Sequence, residues 1–219
     1  VNLEEYDEWK DNPDFIPDLV RMLDNVITYF CDTAPPELWK AVNSAKAERS
    51  LGLGAMGFHA YLQRHNVPFE SAMAKGRNIK MFKHIKGEAI NATRQLAKER
   101  GPCPDGSSAG VRNAHLLAVA PNASSSIICG NTSPSIEPYR ANAFTQKTKS
   151  GSSLLKNEYL EHALQEINQD TDDVWKSIIT NGGSVQHLDF LDEWTKEIFK
   201  TAVEIDQRWV IEMAADRQE

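Results

Sequence analysis

His115-Leu116-Leu117-Ala118-Val119-Ala120-Pro121-Asn122-Ala123-Ser124-Ser125-Ser126 turns within twelve residues from apolar to hydroxyl-rich. Its first six residues form an unbroken apolar run stopped by a proline. A run of that length predicts a strand buried on both faces, of the parallel or barrel type. Three serines then lead into the apolar step Ile127-Ile128. Small hydroxyl residues between a strand and a helix start offer side-chain hydroxyls and outward backbone N–H groups, the donors a phosphate needs. The same serines would serve equally well as a helix N-cap. The residues alone leave both readings open.

Upstream of this stretch the pattern is helical. Pro13 and Pro17 flank the opening of a helix in which Phe15, Ile16, Leu19, Val20, Leu23, Val26, Ile27 and Phe30 recur at helical spacing and predict a core stripe. The Ala34-Pro35-Pro36-Glu37 break starts a second helix carrying Leu38, Trp39 and Val42. A third is predicted from about Gly54 to Gln63. A long fourth, capped by Ser71, carries Ile79, Phe82, Ile85, Ile90 and Leu96 and must end at Gly101-Pro102-Cys103-Pro104. Downstream, 150–173 is polar and acidic with weak helical pattern around Leu154, Leu155, Tyr159, Leu160 and Leu164, and reads as a surface excursion. Leu188 to Ala215 gives a last amphipathic helical region.

With 41% hydrophobic and 25% charged residues the chain has the balance of a globular domain able to bury a core. Its net charge of −7 argues against a non-specific nucleic-acid surface, which needs clustered Lys and Arg. No segment approaches the roughly 20 apolar residues that cross a bilayer, and the start Val1-Asn2-Leu3-Glu4-Glu5 has no signal-peptide character, so a cytoplasmic protein is expected. The chain opens on Val1, not Met, which points to a piece of a longer protein.

Gly52-Leu53-Gly54-Ala55-Met56-Gly57 matches the dinucleotide fingerprint by letter. No strand pattern precedes it, so glycines for close packing are the better account. Three cysteines, Cys31, Cys103 and Cys129, are widely spaced and form no Cys-x-x-Cys pair, and the six histidines show no metal-ligand spacing. No metal site is expected. Asn-x-Ser/Thr triplets at Asn91, Asn122 and Asn131 would matter only in a secreted protein.

Pro121-Asn122-Ala123-Ser124-Ser125-Ser126, followed by Gly130-Asn131-Thr132-Ser133-Pro134-Ser135-Ile136-Glu137-Pro138, resembles the signature of class I ribonucleotide reductase large subunits. Arg49-Ser50-Leu51-Gly52-Leu53-Gly54-Ala55-Met56-Gly57-Phe58 is similar to another motif of that family. Val1-Asn2-Leu3 resembles the point just after its second redox cysteine, and Arg208 to Gln218 a C-terminal stretch of some members. The similarities run in matching order along essentially the whole chain.

The resemblance implies a helix-rich α/β fold: part of the ten-stranded α/β barrel of the ribonucleotide reductase and pyruvate formate-lyase type. Residues 1–219 would be a single fragment of that barrel domain, with a surface excursion near 150–183. It implies that Pro121, Asn122, Ala123, Ser124 and Ser125 hold the substrate's diphosphate, Ser124 and Ser125 most directly and Ala123 through its backbone. No catalytic residue is assigned within the chain, because the family's catalytic cysteines map before Val1 and its radical-relay tyrosines beyond Glu219. The whole enzyme would reduce ribonucleoside diphosphates to deoxyribonucleotides. Its partners would be the remaining parts of the large subunit and a metal-containing small subunit, with no cofactor bound by this chain, no membrane and no direct nucleic acid. Two alternatives stand beside this reading: a non-catalytic helical interaction module with a serine-capped loop, and a piece of a cobalamin-dependent reductase.

Overall fold

The computed structural model describes residues 1–148 and 151–218. In chain order the elements are α1 (Tyr6–Trp9), α2 (Phe15–Thr33), α3 (Trp39–Glu48), α4 (Phe58–Arg64), α5 (Ala72–Arg100), α6 (Ala123–Ile128), β1 (Ala143–Thr148), β2 (Gly151–Lys156), α7 (Glu158–Glu166), α8 (Asp172–Thr180), α9 (Glu193–Ile198) and α10 (Gln207–Asp216). The helix-rich α/β character expected from the sequence holds. Where a single fragment is expected, the chain separates into two compact units. One comprises Val1, 6–54 and 80–120, the other 2–5, 55–79 and the described residues from 121 onward. The units are assembled from segments far apart in sequence, so no linker composition marks the division.

In the first unit α2 begins with Pro17 in its opening turn, where a missing N–H costs nothing. It ends where Ala34, held extended before Pro35, donates its N–H to the Phe30 carbonyl at 2.9 Å. Its fully buried line is Ile16, Val20 and Asp24, spaced four apart. The core stripe read from the sequence is therefore partly corrected: Val26 is 58% exposed, and the buried face carries a carboxylate.

Asp24 is tolerated in the core because it is surrounded by donors. Arg49 Nε reaches Asp24 Oδ1 at 2.8 Å, Arg100 Nη1 reaches Oδ2 at 2.9 Å, Arg112 Nε lies 3.4 Å from Oδ1, and Asn113 Nδ2 donates to Oδ1 at 3.1 Å. Burial raises the carboxyl's pKa, but the Arg49 hydrogen bond and charge, with Asn113 and Arg112, outweigh it and hold the group below its ordinary value. The single carboxylate thus ties α2 to the C-cap of α3, the end of α5 and the segment at 112–113.

Helix α5 starts as predicted, Ser71 Oγ accepting the Ala74 N–H at 3.1 Å, and stops at Gly101 in the left-handed conformation. The run at 115–120 is extended and pairs in parallel with 48–53: Leu51 N–H donates to His115 O at 2.8 Å, Leu53 N–H to Leu116 O at 2.9 Å, and Ala118 N–H to Leu53 O at 3.2 Å. The parallel pairing matches the expectation; the burial does not. Leu117 is 38% and Val119 64% exposed, because among the described residues of this unit nothing covers the outer face of the run.

In the second unit, Met56 forms a parallel bridge with Asn2, Leu3 N–H donates to Met56 O at 2.7 Å, and Gly57 is left-handed. Helix α4 consequently starts at Phe58, four residues later than the sequence predicts. The expected excursion near 150–183 is also corrected. Ser150 lies outside the described residues, Leu154 and Leu155 belong to a strand, and β1 pairs antiparallel with β2. Leu160 and Leu164 of α7 and Trp175 and Ile178 of α8 are buried with Val185, Leu188, Leu191, Ile198 and Phe199 in one core. The acidic composition misleads because the apolar residues occupy one face of each short helix while the charges occupy the other. The predicted terminal helical region is two helices, α9 and α10, capped by Asp192 and Asp206.

A buried polar network crosses this unit. His59 Nδ1 accepts the Tyr139 backbone N–H at 3.0 Å, which puts the imidazole proton on the other nitrogen. Gln63 donates to Ile198 O at 3.2 Å and accepts from Asn157 Nδ2 at 2.8 Å, and Asn142 Nδ2 donates to Phe199 O at 2.7 Å. Burial, only partly offset by the Ile198 carbonyl, lowers the His59 pKa to about 3.

Two measurements test these cores. Replacing Asp24 with Asn leaves guanidiniums without their counter-charge, so urea unfolding of the variant should show a loss of about 3 to 5 kcal/mol; a loss below about 1 kcal/mol would show that solvent reaches the cluster. For His59 the unfolded ring gains a proton below about pH 6.5 while the folded ring stays neutral to about pH 3. Stability is therefore complete above pH 6.5 and should decline on acidification by up to about 1.4 kcal/mol per pH unit until about pH 3. A His59→Gln variant should lose that part of the slope; identical slopes would exclude it.

Candidate functional site

All five residues singled out from the sequence, Pro121 to Ser125, lie at the start of α6 in the second unit. Asn122 is the N-cap residue, with φ +52°, and its side chain caps nothing. Its amide is turned away, Nδ2 donating to the Ala55 carbonyl at 3.2 Å. The first hydrogen bond inside the helix runs from Ser126 N–H to Asn122 O at 2.9 Å. The N–H groups of Ala123, Ser124 and Ser125 thus have no acceptor within the helix. Pro121, Ala123, Ser124 and Ser125 are exposed, whereas Ser126 is buried and donates its hydroxyl to Ala123 O at 3.2 Å. No serine of the triplet caps α6, which removes the local basis for the serine-cap reading.

Between Arg112 and Glu137 the sequence carries no Asp, Glu, Lys or Arg. Any attraction for an anion here comes from main-chain N–H groups and the hydroxyls of Ser124 and Ser125. A negative ligand meets no acidic side chain within this stretch.

Sequence reasoning missed the frame that holds this turn. Gly57 N–H donates to Ser133 O at 2.8 Å, and Ser133 Oγ accepts the Ala60 N–H at 3.1 Å, so Ser133 caps α4 from 73 residues away. No local pattern announces a cap so distant. Gly57 itself is legible in retrospect: at φ +82°, an added Cβ would lie 2.8 Å from Thr132 Oγ1 and 2.9 Å from Glu4 N. In the first unit, Gly52 packs against Ala118, whose Cβ would stand 3.2 Å from a Cβ added at Gly52. Gly52 and Gly57 serve close packing, as expected, and not a dinucleotide turn.

The ribonucleotide reductase barrel domain model matches residues 1–107 and 104–219. The chain belongs to that family. Ribonucleoside-diphosphate reductase large subunits of Invertebrate iridescent virus 6 and, under a putative name, of Frog virus 3 are each 51% identical to it over 100% of this chain, covering 23% and 39% of their own lengths. The Actinobacillus ureae class Id ribonucleotide reductase alpha subunit superposes with a TM-score of 0.91 at 41% identity, over 99% of this chain and 40% of that one. The chain thus spans less than half the length of these reductase relatives, and the structural match supports the partial α/β barrel.

Among the described residues of this reductase-family chain, no group of three or more His, Cys, Asp or Glu side chains could hold a metal ion. Among those same residues no helix is long and apolar enough to cross a membrane. The three cysteines are free: Cys103 buried, Cys31 half-buried, Cys129 exposed beyond the end of α6. Under native conditions Ellman's reagent should label Cys129 fastest and Cys103 only on unfolding. Rapid native labelling of Cys103 would show that the fold opens around it.

Proposed function

We propose that this chain is the part of a cytoplasmic ribonucleoside-diphosphate reductase large subunit that receives the substrate's diphosphate, at Pro121, Asn122, Ala123, Ser124 and Ser125. The observation that carries the reading is the exposed first turn of α6, where the N–H groups of Ala123, Ser124 and Ser125 are uncapped by any side chain and two hydroxyls stand beside them. Family membership supports the same assignment.

In this reading the complete enzyme removes the ribose 2′-hydroxyl by radical chemistry begun at a cysteine. None of Cys31, Cys103 and Cys129 has that role. This chain contributes binding and scaffold, and the catalytic cysteines come from the rest of the large subunit. The metal that starts the radical belongs to a separate small subunit. The chain itself binds no cofactor, and its partners are the substrate and these two protein components.

In the whole large subunit, changing Ser124 and Ser125 together to Ala removes at most two charge-assisted hydrogen bonds, one per hydroxyl, of about 1.5 to 3 kcal/mol each. Affinity for a ribonucleoside diphosphate should fall roughly tenfold or more, backbone donors limiting the loss, while affinity for the unphosphorylated nucleoside stays unchanged. Ser124→Asp should bind the diphosphate more weakly still. Unaltered diphosphate binding in both variants would remove the site.

A further inference from the structure

Helix α5 gathers the chain's cations. Its 29 residues hold eight of the 24 Lys and Arg but only two of the 31 Asp and Glu, in a chain whose net charge is −7. Within the first unit, Lys80, Lys83, Gly87, Arg94 and Lys98 are all exposed. At about 100° per residue they fall in a wedge of roughly 60°, a straight ridge about 27 Å long. No acidic residue lies on it: of the two glutamates of α5, Glu88 is half-buried off the ridge and Glu99 is taken by Arg21, at 2.8 and 3.1 Å. Among the described residues the side chains of Lys80, Lys83, Arg94 and Lys98 make no ion pair or hydrogen bond, whereas Arg100 is committed to Asp24 at 2.9 Å. Each feature of the ridge works against the isolated helix. Lys80 with Lys83 and Arg94 with Lys98 are like-charge neighbours three and four residues apart, which destabilises a helix. Gly87 is less favourable in a helix interior than Ala, and a Cβ there would meet nothing within 4 Å, so no packing inside the chain requires the glycine. What a bare α-carbon on an exposed ridge permits is the close approach of another backbone. Beside the ridge a groove of about 280 Å³ opens between α2 and α5, with Pro17, Ala92 and Leu96 among its walls.

We propose that this ridge docks an acidic amphipathic helix of a partner protein. Its Asp or Glu side chains pair with Lys80 and Lys83 at one end and with Arg94 and Lys98 at the other, its backbone crosses at Gly87, and an apolar side chain enters the groove between α2 and α5. Charge complementarity decides the kind of partner. The two cation pairs are about 22 Å apart, so the occupant carries its acidic pairs about four turns apart on one face. A nucleic-acid duplex fits less well, because its phosphates would face a narrow basic line on a chain of net charge −7. The docking surface is separate from the diphosphate site and does not depend on it.

The test titrates the whole large subunit into a fluorescent, alanine-rich helical peptide of about six turns, with Glu pairs four turns apart on one face and Leu beside them, and reads anisotropy at low and high salt. A control peptide has the same residues with the Glu side chains spread around the helix. The matched peptide should bind about tenfold more tightly than the control, and less so as salt rises. The variant with Lys80→Gln, Lys83→Gln, Arg94→Gln and Lys98→Gln should lose that preference. Gly87→Leu should weaken the matched peptide several-fold without lowering the thermal unfolding midpoint, since Leu is the better helix former and has open space at this position. Weaker binding by a fold at least as stable would then report a blocked approach. Equal binding of the two peptides, or binding of neither, would overturn the proposal, as would undiminished binding by the Gln variant or by Gly87→Leu. A DNA duplex that displaces the matched peptide at equal charge concentration would overturn it too, because the ridge would then be reading phosphates.

Discussion

The absence of a side chain at Gly57 is the constraint on which the second unit's organisation turns. Two segments distant in sequence, Asn2 to Glu4 and Thr132 to Ser133, close on it where α4 begins. Its left-handed backbone turns the chain into Phe58. Any β-carbon would strain the backbone and push at least two neighbours aside. The helix it starts carries Phe58, His59, Leu62 and Gln63, all buried, so one permissive residue sets both the apolar packing and the polar network around His59.

The first unit is organised differently, around a charge. Asp24 is fully buried, yet it faces three guanidiniums and an amide, so the local excess is positive. Desolvating such a group is costly, and the arrangement survives because each carboxylate oxygen is satisfied. Arg49 serves twice here: it caps α3 in a left-handed conformation and reaches both the side chain and the carbonyl of Asp24, the latter at 2.9 Å. The arginine that opens the stretch 49–58, which resembles a motif of the family, therefore has an internal structural task.

Much of this was legible in the residues, and the parts that were not share a physical reason. The limits of α5 follow from Ser71 and Gly101, whose effects are local, and sequence reading found both. Asp24 was passed over because a carboxylate in an apolar stripe reads as solvent-facing until its partners, 25, 76 and 88 residues away, are known. The acidic stretch after 150 was misread because its burial depends on a shared core, which no window of sequence displays. At the site, the hydroxyl-rich turn is plain in the residues, while the hydrogen bond from the Asn122 side-chain amide to the Ala55 carbonyl spans 67 residues and no local pattern shows it.

The stretch from 122 to 135 has an evolutionary consequence that follows from its backbone alone. Asn122, Asn131 and Ser135 all adopt positive φ, at 52°, 61° and 47°. Branched side chains are nearly excluded at such positions, and Asn, Asp and Gly are favoured. Drift at these three codons is thereby channelled into a narrow alphabet whatever ligand the protein binds. Invariance across relatives there would report geometry as much as chemistry, so an alignment read for function would have to discount these columns before crediting them to the site.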